Sequence, residues 1–356
     1  MKEKDKETLD LYIDYAIVST WQITAVWLSE MLDKKVWHDR ITTFLSKNDF
    51  WSKDMWKIVK KELRQEETEN WVIAFDDTIE EKMYMKENDI ISWHWDHVFQ
   101  RNVKWINLLY MSYIWPKLSL PIAYEIVKKT EKYTDKKSWK ERRKSKKNKN
   151  EMFREMIDTI MLNQIKFKYF LFDSWFCNKN NINKILKKGK DFIAEIPSNR
   201  KISITKEDKL NWKSQSIDSL WMDNWEVLEV YIAWVEKKLL LCRQIFKNKD
   251  NSTWERYLLC SDTSLGFDSI IGTYKKRWKI EESFKSMKSN TWFSKSPAYK
   301  VQTQSNHIFI SIISSFKLQL LAVKGALNSF TLKRKLYISA LKKAFEELQI
   351  FKQKFA

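Results

Sequence analysis

Three carboxylates carry the chemistry open to this chain. Asp77, next to Asp76, follows the apolar run Trp71-Val-Ile-Ala-Phe75, Asp173 follows Phe167-Lys-Tyr-Phe-Leu-Phe172, and Glu281 lies in a lysine-rich stretch far downstream. Oxygen ligands from separate elements suit a hard divalent cation such as Mg²⁺, which keeps waters and needs neither His nor Cys. Two such ions about 3.5–4 Å apart activate an attacking oxygen and stabilise a leaving one in phosphoryl transfer. A strand holds its terminal residue rigidly, which suits a ligand, although an Asp there also serves as an ordinary polar cap. Asp76 and Asp77 are adjacent, and alternate strand side chains point to opposite faces, so only one of them can easily face a shared metal.

The stretch around Glu281 reads Tyr-Lys-Lys-Arg-Trp-Lys-Ile-Glu-Glu-Ser-Phe-Lys-Ser-Met-Lys over residues 274–288. Helical offsets of 3, 4 and 7 put Tyr274, Arg277, Glu281 and Lys288 along one face, with Trp278 and Lys285 as neighbours of Glu281. Phosphate-binding side chains beside a metal-binding Glu would look like this. So would an amphipathic helix laced by Arg277–Glu281 and Glu281–Lys285 pairs.

The elements that must position these residues fall in a clear order. Residues 1–70 read as helical, with Leu9, Ile13, Ala16 and Ile17 at helical spacing, a second apolar-faced segment over Ile23–Leu32, and Asp39 able to cap a helix through Ile41, Phe44 and Leu45. The polar turn Asp33-Lys34-Lys35 makes this either a helix-turn-helix, with Arg40 and Lys47, or a plain helical hairpin. Strands follow at 71–75, 106–114 and 118–127, a helix at 151–162, a strand ending at Phe172, a helix at 180–188 capped by Gly189, and a strand at 191–196. Short alternating strands fill 201–262. Helices are expected over 269–289, 306–323 and 332–352.

Charge narrows the partner. The 356 residues carry 65 Lys plus Arg against 46 acids, a formal charge of +19, which favours a polyanion. Twelve of the 22 residues from Lys128 to Lys149, Arg142 and Arg143 among them, are basic, and the run is polar enough to be a loop. Nothing apolar accompanies it, which disfavours a membrane surface. The closest candidate for a spanning helix, Ile308–Val323, is interrupted by Lys317 and reads as a buried helix. The N-terminus lacks the apolar stretch of a signal peptide, so the cytoplasm is the expected location. Cys177, Cys242 and Cys260 have no metal-ligand spacing and read as reduced and structural.

Gly is 4 of 356 residues and Trp is 19, against an average Gly usage of about 7%. Trp139, Trp225 and Trp254 stand in polar, turn-like stretches where Gly, which adopts positive φ freely, is the natural residue. One explanation is a gene that uses UGA for glycine, translated with that codon read as tryptophan; the other is a chain with an unusual Trp load.

Asp-Asp-Thr after a strand, Phe-Asp-Ser-Trp-Phe after a later strand, and Tyr-x2-Arg-x3-Glu-x6-Lys together resemble the signature set of bacterial insertion-sequence transposases of the DDE class, in the subgroup with a Y-R-E-K helix and a β-rich insertion before the catalytic Glu. The resemblance covers residues 8 to 325, and Asn306-His307 resembles the family's segment downstream of the Glu. The intervals fit, 96 residues from Asp77 to Asp173 and 108 from Asp173 to Glu281, the second being long enough for an insertion over 201–262.

The resemblance implies an α/β fold: a ribonuclease-H-like catalytic core with a β-rich insertion, preceded by a helical N-terminal module. Its parts would be a DNA-binding module at 1–70, the first part of the core at 71–200, the insertion at 201–265, the second part with the Y-R-E-K helix at 266–325, and a C-terminal helical segment at 326–356. It implies Asp77, Asp173 and Glu281 as catalytic metal ligands for Mg²⁺, with Mn²⁺ able to substitute. Asp77 is preferred to Asp76 because the family's ligand directly precedes Thr. It also implies Tyr274, Arg277, Lys288, Lys285 and Trp278 as DNA contacts, with Trp278 or Trp175 able to stack on a distorted base; Arg142 and Arg143 join them from the basic run. The family has small residues or Gly where this chain has Trp105, Trp139, Trp254 and Trp292. The expected activity is metal-dependent cleavage at transposon ends and strand transfer into target DNA, by a homodimer in a synaptic complex associated with the bacterial nucleoid. The alternatives are a nuclease of the same fold that cuts without joining, and a non-catalytic basic nucleic-acid-binding protein.

Overall fold

The computed structural model describes residues 2–96, 100–116, 118–136, 139–293 and 295–355. Four helices open the chain: α1 (Glu3–Val18), α2 (Ala25–Met31), α3 (His38–Lys47) and α4 (Ser52–Glu66). Then come β1 (Val72–Glu81), β2 (Ser92–Asp96), β3 (Arg101–Ile114), β4 (Ser119–Ile126), β5 (Glu131–Thr134), β6 (Glu141–Lys144), α5 (Lys149–Leu162), β7 (Tyr169–Phe172), α6 (Lys179–Lys187) and β8 (Asp191–Ile196). β9 (Lys201–Ile202), α7 (Lys206–Leu210), β10 (Gln215–Ser216), β11 (Val227–Val230), β12 (Leu239–Lys247) and β13 (Thr253–Cys260) precede the closing helices α8 (Phe267–Lys275), α9 (Trp278–Asn290), α10 (Val301–Lys324) and α11 (Ser329–Phe355).

A mixed nine-stranded sheet forms the centre, in the order β11-β12-β13-β8-β7-β1-β3-β2, with β4 also on β3. β1, β3 and β4 are antiparallel neighbours, and β7 and β8 run parallel to β1. Parallel neighbours need crossovers, and α6 supplies the one from β7 to β8. The strands of the expected insertion do not stand apart. β13 pairs with β8 and carries β12 and β11 with it, extending the central sheet, and only β9 and β10 form a small sheet of their own.

β1 runs further than its apolar stretch. Its parallel pairing with β7 ends at Ala74, but its antiparallel pairing with β3 continues to Glu81. Asp76 and Asp77 therefore sit within a strand, just past the point where it loses one neighbour. Burial follows the same logic: Val72 to Phe75 are buried, and Asp76 and Asp77 are partly open.

Helix boundaries follow local chemistry. Asn148 and Glu151 form a reciprocal capping box at the start of α5. Gly189, at φ +67°, ends the α6 region in the left-handed conformation. α3 begins two residues earlier than an Asp39 cap requires, with Trp37 as its N-cap and Asp39 in its first turn. The expected helix over 269–289 is two helices, α8 and α9, separated at Lys276 and Arg277.

The N-terminal helices share one hydrophobic core with the sheet. Phe50 stacks on Phe309 of α10 at 4.8 Å, and Asn306 of α10 donates to the carbonyls of Leu45 and Asn48. Arg40 points inward to α1, donating to Glu7, Thr8 and the Lys4 carbonyl. α10 is long and apolar enough to cross a membrane, but most of it is buried within the protein.

The basic run is not the loop expected. β5 and β6 pair as a hairpin, and much of its charge is matched: Lys132 with Glu141, Arg142 with Asp135, Lys144 with Glu131, and Arg143 with Asp89 at 2.7 Å. Lys137 and Ser138 lie outside the described residues.

Tryptophans occupy unexpected backbone. Trp139, Trp212 and Trp292 have φ of 54°, 57° and 57°, where a bulky side chain is strained. Trp225 and Trp254 do not share this feature. Trp254 is in β13, stacked on Phe246 at 4.0 Å, and Trp105 is a buried residue of β3.

Candidate active site

The two faces of the sheet separate Asp76 from Asp77. Side chains alternate along β1, and the aromatic contacts identify each face. Phe75 packs on Phe153 of α5 at 4.2 Å, so Phe75 and Asp77 face α5. Tyr110, the β3 partner of Asp76, contacts Phe284 of α9 at 5.6 Å, so Asp76 faces α9, the helix that carries Glu281.

Hydrogen bonds agree with this assignment. Asp77 accepts from Asn107 of β3 at 2.8 Å and from Lys149, at the start of α5, at 2.7 Å. Asp76 accepts from Arg277 at 2.6 Å, and the same guanidinium donates to Glu281 at 2.9 Å. The sequence reading placed Asp77 with Glu281; the structure instead joins Asp76 to Glu281 through Arg277. A period of two fixes that one of the pair faces α9 but does not say which.

Asp173 follows β7 and caps the short 3₁₀ turn Ser174–Phe176, accepting from the Phe176 amide at 3.4 Å. Burial pushes its carboxyl above the usual range, Arg277 opposes the shift, and the charges of Asp77 and Glu195 add to it. Burial likewise pushes Asp76 up to about 7; Arg277 opposes, while Asp173 and Asp77 add. Asp76 and Glu281 thus share one guanidinium, and Asp173 lies within its electrostatic reach. Among the described residues, no three Asp, Glu, His or Cys side chains already close on a point in metal-ligating geometry, and Arg277 fills the space between Asp76 and Glu281. The donors are nonetheless all hard oxygens, which suits a divalent cation once that guanidinium gives way.

The other residues singled out have distinct places. Tyr274 is buried and donates to the Phe172 carbonyl at 3.3 Å, fixing the end of β7 beside Asp173. The guanidiniums of Arg277 and Arg256 lie 5.7 and 5.0 Å from its ring centroid. Lys288 donates to the Ile79 carbonyl of β1 at 2.6 Å, with Glu80 at 3.8 Å. Trp278, Glu281 and Lys285 line an open groove running towards α11, where the Lys285 ammonium lies 5.6 Å from the Phe330 ring. Trp278 and Trp175 are exposed. Arg142 and Arg143 lie on the β5–β6 hairpin, away from the Arg277 cluster in sequence and in pairing.

Sequence reasoning missed Asn107, Lys149 and Glu195. Asn107 had a signal, as a polar residue inside the apolar run Ile106–Leu109. Lys149 was hidden among twelve basic residues. Glu195 alternates along β8 and carries no motif.

Comparisons with known proteins complete the picture. Residues 1–213 match the family described as DDE superfamily endonuclease. Residues 139–316 match the family described as transposase DDE domain. No curated protein matches the chain. Among solved structures, the Drosophila P element transposase strand transfer complex is similar at 8% identity and a TM-score of 0.29, over 90% of this chain and 64% of that one. The chain thus spans under two thirds of that relative, and a likeness so loose bears on neither fold nor reaction. The two family matches stand on their own: between them they span residues 1–316 and include Asp76, Asp77, Asp173 and Glu281, and the chain belongs to the DDE superfamily of endonucleases and transposases.

Proposed function

We propose that this chain is a cut-and-paste DNA transposase of the Y-R-E-K subgroup, built on a ribonuclease-H-like core formed by β1, β3, β4, β7 and β8. Its catalytic carboxylates are Asp76, Asp173 and Glu281. The observation that carries the reading is the Arg277 bridge, which unites carboxylates 205 residues apart, from 76 to 281, with Asp173 in the same electrostatic neighbourhood.

Asp76, Asp173 and Glu281 would hold Mg²⁺ or Mn²⁺, which activates an attacking oxygen and stabilises a leaving one. The protein's own groups do the rest. Arg277, once released from Asp76 and Glu281, offers its planar fork to a phosphate. Tyr274 holds the end of β7 and so the backbone that carries Asp173. Lys288 ties α9 to β1 at Ile79, keeping the Glu281 helix at a fixed height over Asp76. Exposed Trp278 offers a stacking face to a displaced base at the element end. The reaction proposed is hydrolysis of a phosphodiester at the element end, followed by attack of the freed 3′-OH on target DNA, in a dimeric assembly of bacterial cytoplasm.

Cleavage and joining of labelled element ends test this. Wild type should cleave with Mg²⁺ and not in chelator, and Asp173→Ala and Glu281→Ala should bind ends but not cleave, since ligands act on the transition state while affinity comes from phosphate contacts. Cleavage without joining of a precut end would reassign the chain as a nuclease. Equal end binding with no cleavage under any metal would leave a binding protein.

A further inference from the structure

Three tryptophans stand where the backbone suits glycine. Among the described residues, nine other than glycine have positive φ, and three of the nine are Trp139, Trp212 and Trp292, at 54°, 57° and 57°. Asn and Asp tolerate this region, whereas a bulky side chain is a steric outlier in it. Trp thus supplies three of nine such positions but only 19 of 356 residues overall.

The chain holds its own comparison. After α6, the amide of Gly189 (φ 67°) donates to the Leu186 carbonyl at 3.0 Å, and the Lys190 amide reaches back to the Ile185 carbonyl at 3.3 Å. After α7, the Trp212 amide donates to the Lys209 carbonyl at 3.3 Å, and the Lys213 amide to the Asp208 carbonyl at 2.8 Å. This pair of bonds closes a helix through one left-handed residue, ordinarily Gly. Trp212 therefore takes the place in α7 that Gly189 takes in α6, with its side chain in water at 84% exposure. Trp139 is the last residue of the β5–β6 hairpin loop. Its amide donates to the Asp135 carbonyl at 2.8 Å, and the Asp135 amide donates to the Lys140 carbonyl at 3.0 Å. Hairpin loops take Gly or Asn at positive φ, yet this Trp is 82% exposed. Trp292 directly follows the C-cap of α9, and the Phe293 amide reaches back to the Met287 carbonyl at 3.0 Å. Its indole N–H donates to the Ser19 carbonyl at 2.7 Å, so at 292 the backbone alone points to glycine.

A large aromatic ring stabilises a fold by being buried, and Trp139 and Trp212 forgo that gain while their backbone is strained. We infer that the chain made in its own cell carries glycine at 139, 212 and 292, through UGA codons decoded as glycine. Only 4 glycines otherwise serve 356 residues, against an average usage of about 7%. Trp56 is the contrasting case. It lies inside α4, packs on the core, and has the Arg64 guanidinium 5.7 Å from its ring centroid. Glycine there would remove packing and weaken the helix.

The gene's codons, and the peptide masses of the chain purified from its own cell, test this whatever reaction the chain performs. UGA is expected at the three positions, with glycine in the peptides that span them. UGG there, or tryptophan in those peptides, overturns the inference. Thermal unfolding of the tryptophan-bearing chain is an independent check. Trp139→Gly combined with Trp212→Gly should raise Tm by about 1–3 °C, because relief of left-handed strain outweighs the added chain entropy of glycine. Trp139→Ala combined with Trp212→Ala keeps a Cβ at positive φ and should not match that gain. Trp56→Gly should lower Tm. A Tm unchanged or lowered by glycine at 139 and 212, an equal gain with alanine, or a rise with Trp56→Gly overturns the inference as well.

Discussion

Replacing Arg277 by Ala probes stability and site together. The guanidinium is 15% exposed and makes two charge-assisted hydrogen bonds, to Asp76 at 2.6 Å and to Glu281 at 2.9 Å, with the carboxylates 16% and 33% exposed. Hydrogen bonds to charged groups contribute about 1.5–3 kcal/mol each. Stranding a partly buried charge costs more than a surface pair, but Glu281 can recover some water. A loss of about 2–4 kcal/mol in chelator is the result. With an unfolding entropy of roughly 2.1 cal/mol/K per residue, a chain of this size should lose roughly 3–5 °C in Tm. Because Arg277 fills the space between two proposed ligands, Mn²⁺ must displace it in wild type but not in the variant. A ligand that binds only the native state stabilises it by RT ln(1 + [L]/Kd). Mn²⁺ should therefore raise the Tm of Arg277→Ala more than that of wild type, while cleavage stays impaired for want of the phosphate fork. Calorimetric scans in chelator and over a Mn²⁺ series measure both. A variant with wild-type Tm in chelator, or a smaller Mn²⁺ shift than wild type, would refute the reasoning.

Further outcomes follow from other parts of the molecule. Neutralising exposed Lys136, Lys140 and Lys146 should lower the slope of log K against log salt for DNA by about 0.9 for each phosphate that no longer meets a cation, whereas neutralising Arg142, already paired with Asp135, should change it less; salt titrations of binding separate the two. Asp262 is held well below the usual carboxylate range: burial pushes it up, but hydrogen bonds from Ser264, Tyr169 and Lys168 outweigh that. A carboxylate lowered on folding adds stability above its unfolded pKa of 3.8 and loses it as pH falls towards the folded value. Asp262→Asn should accordingly flatten the fall in Tm below about pH 4; an acid limb identical to wild type would count against the Asp262 network.

The order of elements was legible because hydrophobic period survives in the sequence. Phe167–Phe172, Asp191–Ile196 and the capped helix ending at Gly189 were all readable, since each is bounded by a turn residue or a change of period. What pairing alone decides was not. The apolar run ending at Phe75 suggested that β1 stops there, but β3 carries it on through Asp76 and Asp77. The period of two required those carboxylates to diverge, yet only Phe153 on one face and Phe284 on the other show which goes where. The break at Lys276 and Arg277 leaves no trace in residues that all favour helix. The basic run looked like a free cationic loop because Glu131, Asp135 and Glu141 meet their cations only once β5 pairs with β6, and its other partners, Asp89 and Glu155, lie outside the run.

The most direct test of the account compares Asp76→Ala with Asp77→Ala in end cleavage with Mg²⁺, each checked for end binding and Tm. The structure turns Asp76 to Arg277 and Glu281, and Asp77 to Asn107 and Lys149. Asp76→Ala should bind ends and fail to cleave, while Asp77→Ala should cleave at a reduced but measurable rate. Loss of cleavage in Asp77→Ala with cleavage retained in Asp76→Ala would contradict the assignment.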